Sequence, residues 1–175
     1  FVTHNGTGDL QFQSDALVTG TTGDGVRLVA GATSANINAA VAGATGGRNG
    51  VWVQHAGSGD LTLTATGPLI GQSQHGAALV ASADVASVTA TLQAASGALS
   101  GVYVETAGAV PTELMFNGLV EGAVSGASIN AAGGIVRVRN NSTLRNRDNS
   151  SQSVAFSSEA SGPNAAVAID NRGDV

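Results

Sequence analysis

Cysteine and lysine are absent from the 175-residue sequence, and aromatic residues make up only 3% of it. Without cysteine there is no disulfide framework, no thiolate metal site and no cysteine nucleophile. Without lysine, seven arginines stand against twelve carboxylates. That mildly acidic balance disfavours general binding to nucleic acid or to an anionic membrane. No apolar run reaches the length that spans a bilayer, so direct membrane insertion is not expected. The chain opens on "FVTHNG", with neither an initiator Met nor a signal-peptide pattern, and is expected to be a mature or excised piece.

What the sequence does contain is 42% hydrophobic residues, which exclude a plainly disordered polymer, together with 25 glycines. A core drawn from Ala, Val, Leu and Ile suits a pleated, closely stacked surface, and long helices are not expected.

A short phrase recurs: "GVRLV" at Gly25, "GVWVQ" at Gly50, "GAALV" at Gly76, "GVYVE" at Gly101 and "GASIN" at Gly126. The steps are 25, 26, 25 and 25 residues, and a further 25 lands on Ser151, where "SQSVA" keeps a weakened form. "FVTHNGTGDLQFQ" from Phe1 matches "WVQHAGSGDLTLT" from Trp52, two repeats away. The chain therefore divides into seven units: 1–24, 25–49, 50–75, 76–100, 101–125, 126–150 and 151–175.

Within a unit the second and fourth positions are apolar and point inward: Val26 and Leu28, Val51 and Val53, Ala77 and Leu79, Val102 and Val104, Ala127 and Ile129. A second strand follows in "ANINA", "DLTLTAT", "ASVTAT", "ELMFN" and "GIVRVR". A third is read at "PLIG", "NGLVEG", "STLRN" and "VAIDN", with Gly, Asn, Ser and Asp supplying the turns between. Three short strands in about 25 residues make one turn of a β-solenoid. With parallel strands and the preferred crossover hand, the predicted fold is all-β, a single right-handed parallel β-helix of about seven rungs and roughly 30 Å in height. The period excludes an eighteen-residue left-handed helix. The regular Gly and Asp ligands of a calcium-binding nonapeptide roll are missing.

With its "G-apolar-x-apolar" openers, its "GDLTLT" and "GIVRVR" second strands, its Gly and Asn turns and its lack of Cys, the whole chain resembles the passenger region of bacterial autotransporters, the pertactin-like surface proteins. The resemblance implies export through the inner membrane, passage through an outer-membrane barrel and display of a β-helical stalk at the cell surface. A passenger without cysteine forms no periplasmic disulfide to hinder that passage.

Candidate contact residues come from the outward third position of each unit, which reads Phe1, Arg27, Trp52, Ala78, Tyr103, Ser128 and Ser153. Aromatics fall on every second turn, about 10 Å apart, where a glycan could lie. Stacking for local stability, with an arginine-aromatic cation–π contact, is the favoured alternative. Arg172, Gly173 and Asp174 spell "RGD", which some surface proteins use to engage integrins; a turn like that at Gly23 is favoured. Arg145, Asn146 and Arg147 are expected beside Asp170, Asn171 and Arg172, one period later, with Asp148 and Glu121 balancing the charge.

His4 and His55 share a column two turns apart, too distant for one metal ion, and Asp9 and Asp60 recur as turn residues. No metal site or cofactor is expected. A polysaccharide lyase or hydrolase would need clustered carboxylates with a base or a metal, whereas these acids are scattered singly. Thr62, Thr64, Thr66, Ser87, Thr89 and Thr91 share an outward face superficially like the threonine arrays of ice-binding solenoids, but for two units only. The expected function is a non-enzymatic cell-surface stalk or adhesin whose partners are a glycan, a host-cell receptor or further copies of itself, packed end to end or laterally.

Overall fold

The computed structural model describes residues 1–148, 154–162 and 165–174 and has no helix among them. Its first four turns hold two strands each: β1 (Val2–His4) and β2 (Leu10–Gly20), β3 (Val26–Ala30) and β4 (Ile37–Gly46), β5 (Val51–His55) and β6 (Asp60–Gly71), β7 (Ala77–Ala81) and β8 (Ser87–Gly97). Three strands each form the next two: β9 (Ser100–Thr106), β10 (Thr112–Phe116) and β11 (Val120–Gly122), then β12 (Ser125–Ala131), β13 (Ile135–Asn140) and β14 (Leu144–Asn146). The last has β15 (Val154–Ala160) and β16 (Ala166–Asn171).

All pairings are parallel. One sheet runs β1-β3-β5-β7-β9-β12-β15 and the other β2-β4-β6-β8-β10-β13-β16, with β11 pairing both β8 and β14. The fold is a right-handed parallel β-helix. In β2, β4 and β6 the second and third strands of the sequence reading run on as one, bent at a register shift: Ser14/Leu17, Val41/Ala44 and Ala65/Pro68. "PLIG" is thus the end of β6 rather than a strand of its own.

Alternation decides which side chains enter the prism. The inward pairs predicted from the openers, Val26 and Leu28 through Ala127 and Ile129, are all buried. From the second sheet, Leu10, Ile37, Leu61, Val88 and Val136 form one inward column, interrupted by Thr112. Next to it runs Phe12, Ala39, Leu63, Ala90 and Leu114. Large and small alternate down that column, so each bulky side chain sits between small ones and the rungs can close to van der Waals contact. Phe116 fills the next column without exposure.

The first five circuits close at a glycine-lined corner. Gly20, Gly46, Gly71, Gly97 and Gly122 are register partners at the end of one face. A second series, Gly25, Gly50, Gly76, Gly101 and Gly126, opens the next strand only four or five residues later. A Cβ at Gly46 would collide with the Asn49 carbonyl, and one at Gly50 would stand 2.5 Å from the Gly76 carbonyl oxygen. The backbone approaches itself too closely for any side chain. Beside these glycines runs a polar ladder. Asn49, itself without exposure, donates to Asp24 Oδ1 (2.8 Å) and accepts from the His75 backbone N–H (3.0 Å), and Ser100 and Ser125 hydroxyls meet at 3.0 Å farther on.

The last turn departs from the sequence reading. Ser125 pairs with Val154 and Ala127 with Phe156, a step of 29 residues, so Ala155 and not Ser151 takes the opener's place. Ser151 and Ser153 lie outside the described residues, and Ser157 is the partner of Ser128. "VAIDN" forms β16 and pairs with β13, in the second-strand column and not the third. Asp170 therefore lies beside Arg139 rather than Arg145, and Asn171 beside Asn140 rather than Asn146. Arg145 and Arg147 share Glu121 instead.

The corner yields a test by urea denaturation. Gly46→Ala is expected to destabilise the protein by about 1–3 kcal/mol, the usual cost of forcing extra atoms into a close-packed region. Gly23→Ala, where an added Cβ meets nothing within 4 Å, is expected to stay within about 0.5 kcal/mol of the parent. Equal effects would mean that the corner is not close-packed.

Candidate functional site

Two outward faces bear the residues of interest. On the first sheet the third positions stack in register, with Arg27 paired to Trp52, Trp52 to Ala78 and Ala78 to Tyr103. Phe1 is exposed and precedes β1. The Arg27 guanidinium lies 5.6 Å from the Phe1 ring centroid and 5.7 Å from that of Trp52, a cation held between two π faces. Asp24 approaches the same guanidinium at 3.5 Å. Ala78, expected to face solvent, has no exposure at all: it is enclosed between Trp52 and Tyr103 on adjacent rungs.

Tyr103 is equally engaged. Its ring stacks on His75 with centroids 4.9 Å apart and planes 17° apart, and its hydroxyl donates to Glu105 Oε2 at 2.7 Å. Desolvation, reinforced by that hydrogen bond and the Glu105 charge, pushes the phenol up to about 12. Burial also lowers His75 below the ordinary imidazole value. In this column Trp52 and Tyr103 each have a ring face covered by a neighbour from the chain itself, while Phe1 stays largely exposed.

The second sheet presents two outward columns. One reads Gln11, Asn38, Thr62, Thr89, Glu113, Arg137 and Ala168; the other reads Gln13, Ala40, Thr64, Thr91, Met115, Arg139 and Asp170. Shallow depressions run along them. One, of about 320 Å³, extends from Thr89 and Thr91 over Glu113, Met115, Arg137 and Arg139 to Asp170. A second lies over Gln11, Asn38 and Thr62 at the other end. Sequence reasoning found the threonines here but missed the face as a unit, because its spacing varies from 24 to 31 residues between rungs. The first sheet keeps closer to 25, and so dominated the periodicity.

The remaining candidates are structural in their surroundings. Arg172 N–H donates to the Asn140 carbonyl at 2.8 Å, its guanidinium reaches Asp170 at 2.9 Å, and the Asp174 carbonyl accepts from Leu144 N–H at 2.9 Å. A Cβ at Gly173 would strike Ser142. "RGD" is thus a turn laid over the loop before β14. Asp9 accepts from the backbone and side-chain amides of Asn36 at 3.0 and 2.9 Å, hydrogen bonds that hold its carboxyl below the ordinary range. Asn36 accepts from Asp60 N–H, and Asp60 from Ser87, which makes a second polar ladder at the corner into the second sheet.

His4 and His55 are each paired to Ala30 between them, and His55 is fully buried. Among the described residues no group of three His, Cys, Asp or Glu is arranged to hold a metal ion.

Comparison with protein-family models, with curated proteins and with solved structures finds no match for this chain.

With neither cysteine nor lysine in the chain, Tyr103 is the one side chain whose ordinary pKa lies between 9 and 12. Ultraviolet titration of this single tyrosine is expected to show ionisation near 12 rather than 10, with Glu105→Gln moving it down. Because folding favours the protonated phenol, its contribution to stability is complete below pH 10 and is lost as pH rises from 10 toward 12. A midpoint at 10 in the folded protein would exclude the stacked, hydrogen-bonded placement.

Proposed function

We propose that this chain is a rigid, non-enzymatic segment of a secreted or surface-displayed β-helical stalk, and that the outer face of its second sheet makes the adhesive contact. The observation that carries this reading is the face itself, with two unbroken outward columns across seven rungs. A surface of that length suits an extended partner better than a compact substrate. Its groups belong to a stack fixed by backbone hydrogen bonds, so little ordering cost falls on binding.

Within the first-sheet column Arg27, Trp52 and Tyr103 are better used as an internal clamp, because Trp52 and Tyr103 each spend a ring face on a neighbour of the chain itself. Bacterial display of the autotransporter kind is the setting we infer. A cysteine-free chain forms no disulfide during passage through the periplasm, and a one-dimensional stack of rungs can grow progressively outside the cell.

Binding to cultured cells and to a panel of immobilised polysaccharides tests the reading. Paired substitution of Thr64→Glu and Thr91→Glu on the open face is expected to weaken binding at least about tenfold, or about 1.4 kcal/mol. Trp52→Ser with Tyr103→Ser should lower stability and leave the affinity of the folded fraction unchanged. The reverse pattern would return the contact to the aromatic column. Release of unsaturated or newly reducing sugar ends would overturn the non-enzymatic assignment.

A further inference from the structure

The second-sheet face changes chemistry along its length. Its first four rungs carry only uncharged groups in the two columns: Gln11 and Gln13, Asn38 and Ala40, Thr62 and Thr64, Thr89 and Thr91. Amides and hydroxyls both donate and accept, which matches a polymer rich in hydroxyls. The next three rungs are charged in a fixed pattern. Arg137 and Arg139 stand side by side on one rung, with Glu113 and Met115 on the rung before and Ala168 and Asp170 on the rung after. Each guanidinium thus has a carboxylate on one side and a small or apolar side chain on the other, and both open sides fall within the same depression.

The internal carboxylates neutralise these arginines poorly. Arg137 lies 3.7 Å from Glu113 and Arg139 lies 3.4 Å from Asp170. Both separations exceed the roughly 2.7–2.9 Å of a charge-assisted hydrogen bond. Asp170 is drawn to another partner, since Arg172 holds it at 2.9 Å. By contrast, Arg145 on the neighbouring face closes onto Glu121 at 2.9 Å. One rung of this face bears two adjacent, half-exposed guanidiniums, each with a carboxylate on one side only and beyond charge-assisted hydrogen-bond distance, so fork donors remain available to a ligand.

Resting on the face as the contact surface, we propose that its ligand is an acidic polysaccharide, with an anionic group of the sugar chain seated between Arg137 and Arg139 and the neutral hydroxyls running along the rungs toward Gln11. Carboxylate is the favoured anion because a planar acid can take the guanidinium fork in a bidentate manner. Glu113 and Asp170 act as internal competitors that the ligand displaces. An acidic peptide would find the same two arginines but would leave the Gln, Asn and Thr rungs without matching partners, and strand addition is closed to it where the strands are already paired on both sides.

The test measures binding of the whole chain to polygalacturonate, to a sulfated galactan, to a neutral galactan and to poly-glutamate at low and physiological salt. Wild type is expected to prefer polygalacturonate to the neutral polymer by at least about tenfold, with the preference shrinking as salt rises. Arg137→Gln with Arg139→Gln should abolish the preference, whereas Arg145→Gln should leave it intact. Glu113→Gln with Asp170→Asn should strengthen polygalacturonate binding several-fold, a gain that general damage to the fold cannot produce; thermal unfolding checks that each variant is folded.

Equal binding of neutral and acidic galactans through the face would overturn the acidic class while leaving the face as contact surface. Stronger binding of the sulfated polymer would replace carboxylate by sulfate. Poly-glutamate binding as tight as polygalacturonate would overturn the sugar, as would self-association of the chain that disappears in the double arginine variant. Binding of none of the polymers, with Thr64→Glu and Thr91→Glu also without effect on cells, would remove the face itself.

Discussion

In-register stacking of parallel backbones governs this molecule, and the closing corner is where that stacking is hardest to maintain. Every strand must return to the same place one rung higher, and through the first five circuits it does so within four or five residues between two glycine series. Had either series carried side chains, the carbonyl of the next segment would have been pushed away and the first sheet would have lost its hydrogen-bond register. The narrowness of the corner also sets the core, because a prism closed so tightly has room for Ala, Val and Leu but for few rings. The scarcity of aromatics is thus a consequence of the geometry.

Side-chain ladders take up the polar groups that such tight corners bury. Asp24 with Asn49 and His75 on one edge, and Asp9 with Asn36, Asp60 and Ser87 on another, pass hydrogen bonds from rung to rung where no disulfide is available. Asn140 continues the device within the core, donating to Asn171 at 2.8 Å and to the Ser142 carbonyl at 2.9 Å. A buried amide is tolerated because its donors and acceptor all find partners. These contacts fix register as much as they add stability, since a slip of one residue would break every one of them.

The repeat phrase made the first sheet legible: Gly101 at the corner, Val102 and Val104 inward, Tyr103 outward all follow from alternation and period. The glycine series that ends the second-sheet strands was not legible, because Gly20 and Gly46 end strands of unequal length and no common phrase surrounds them. The last turn misled for a related reason. No clear opener phrase marks the last turn, where the pairing steps by 29 residues instead of 25. So arithmetic in steps of 25 placed Arg145 beside Asp170, while backbone pairing places Arg139 there. Ala78 shows a different limit. Outward direction is not exposure when the neighbours on both sides are Trp52 and Tyr103.

The two outward faces divide stabilisation from availability. On the first sheet the large side chains satisfy one another: a guanidinium lies between Phe1 and Trp52, and an imidazole covers Tyr103. Such contacts lower the free energy of the folded chain and engage one face each of Trp52 and Tyr103. On the second sheet the outward residues through Thr91 are short, so they cannot reach across to cover their neighbours, and the strand surface stays open. The arginine rung has long side chains, yet its carboxylates sit one rung away on opposite sides, which pulls the guanidiniums apart along the axis instead of closing them together. There two guanidiniums alternate with Glu113 and Asp170, so the charge of the face lies in separated patches of both signs rather than in one cluster.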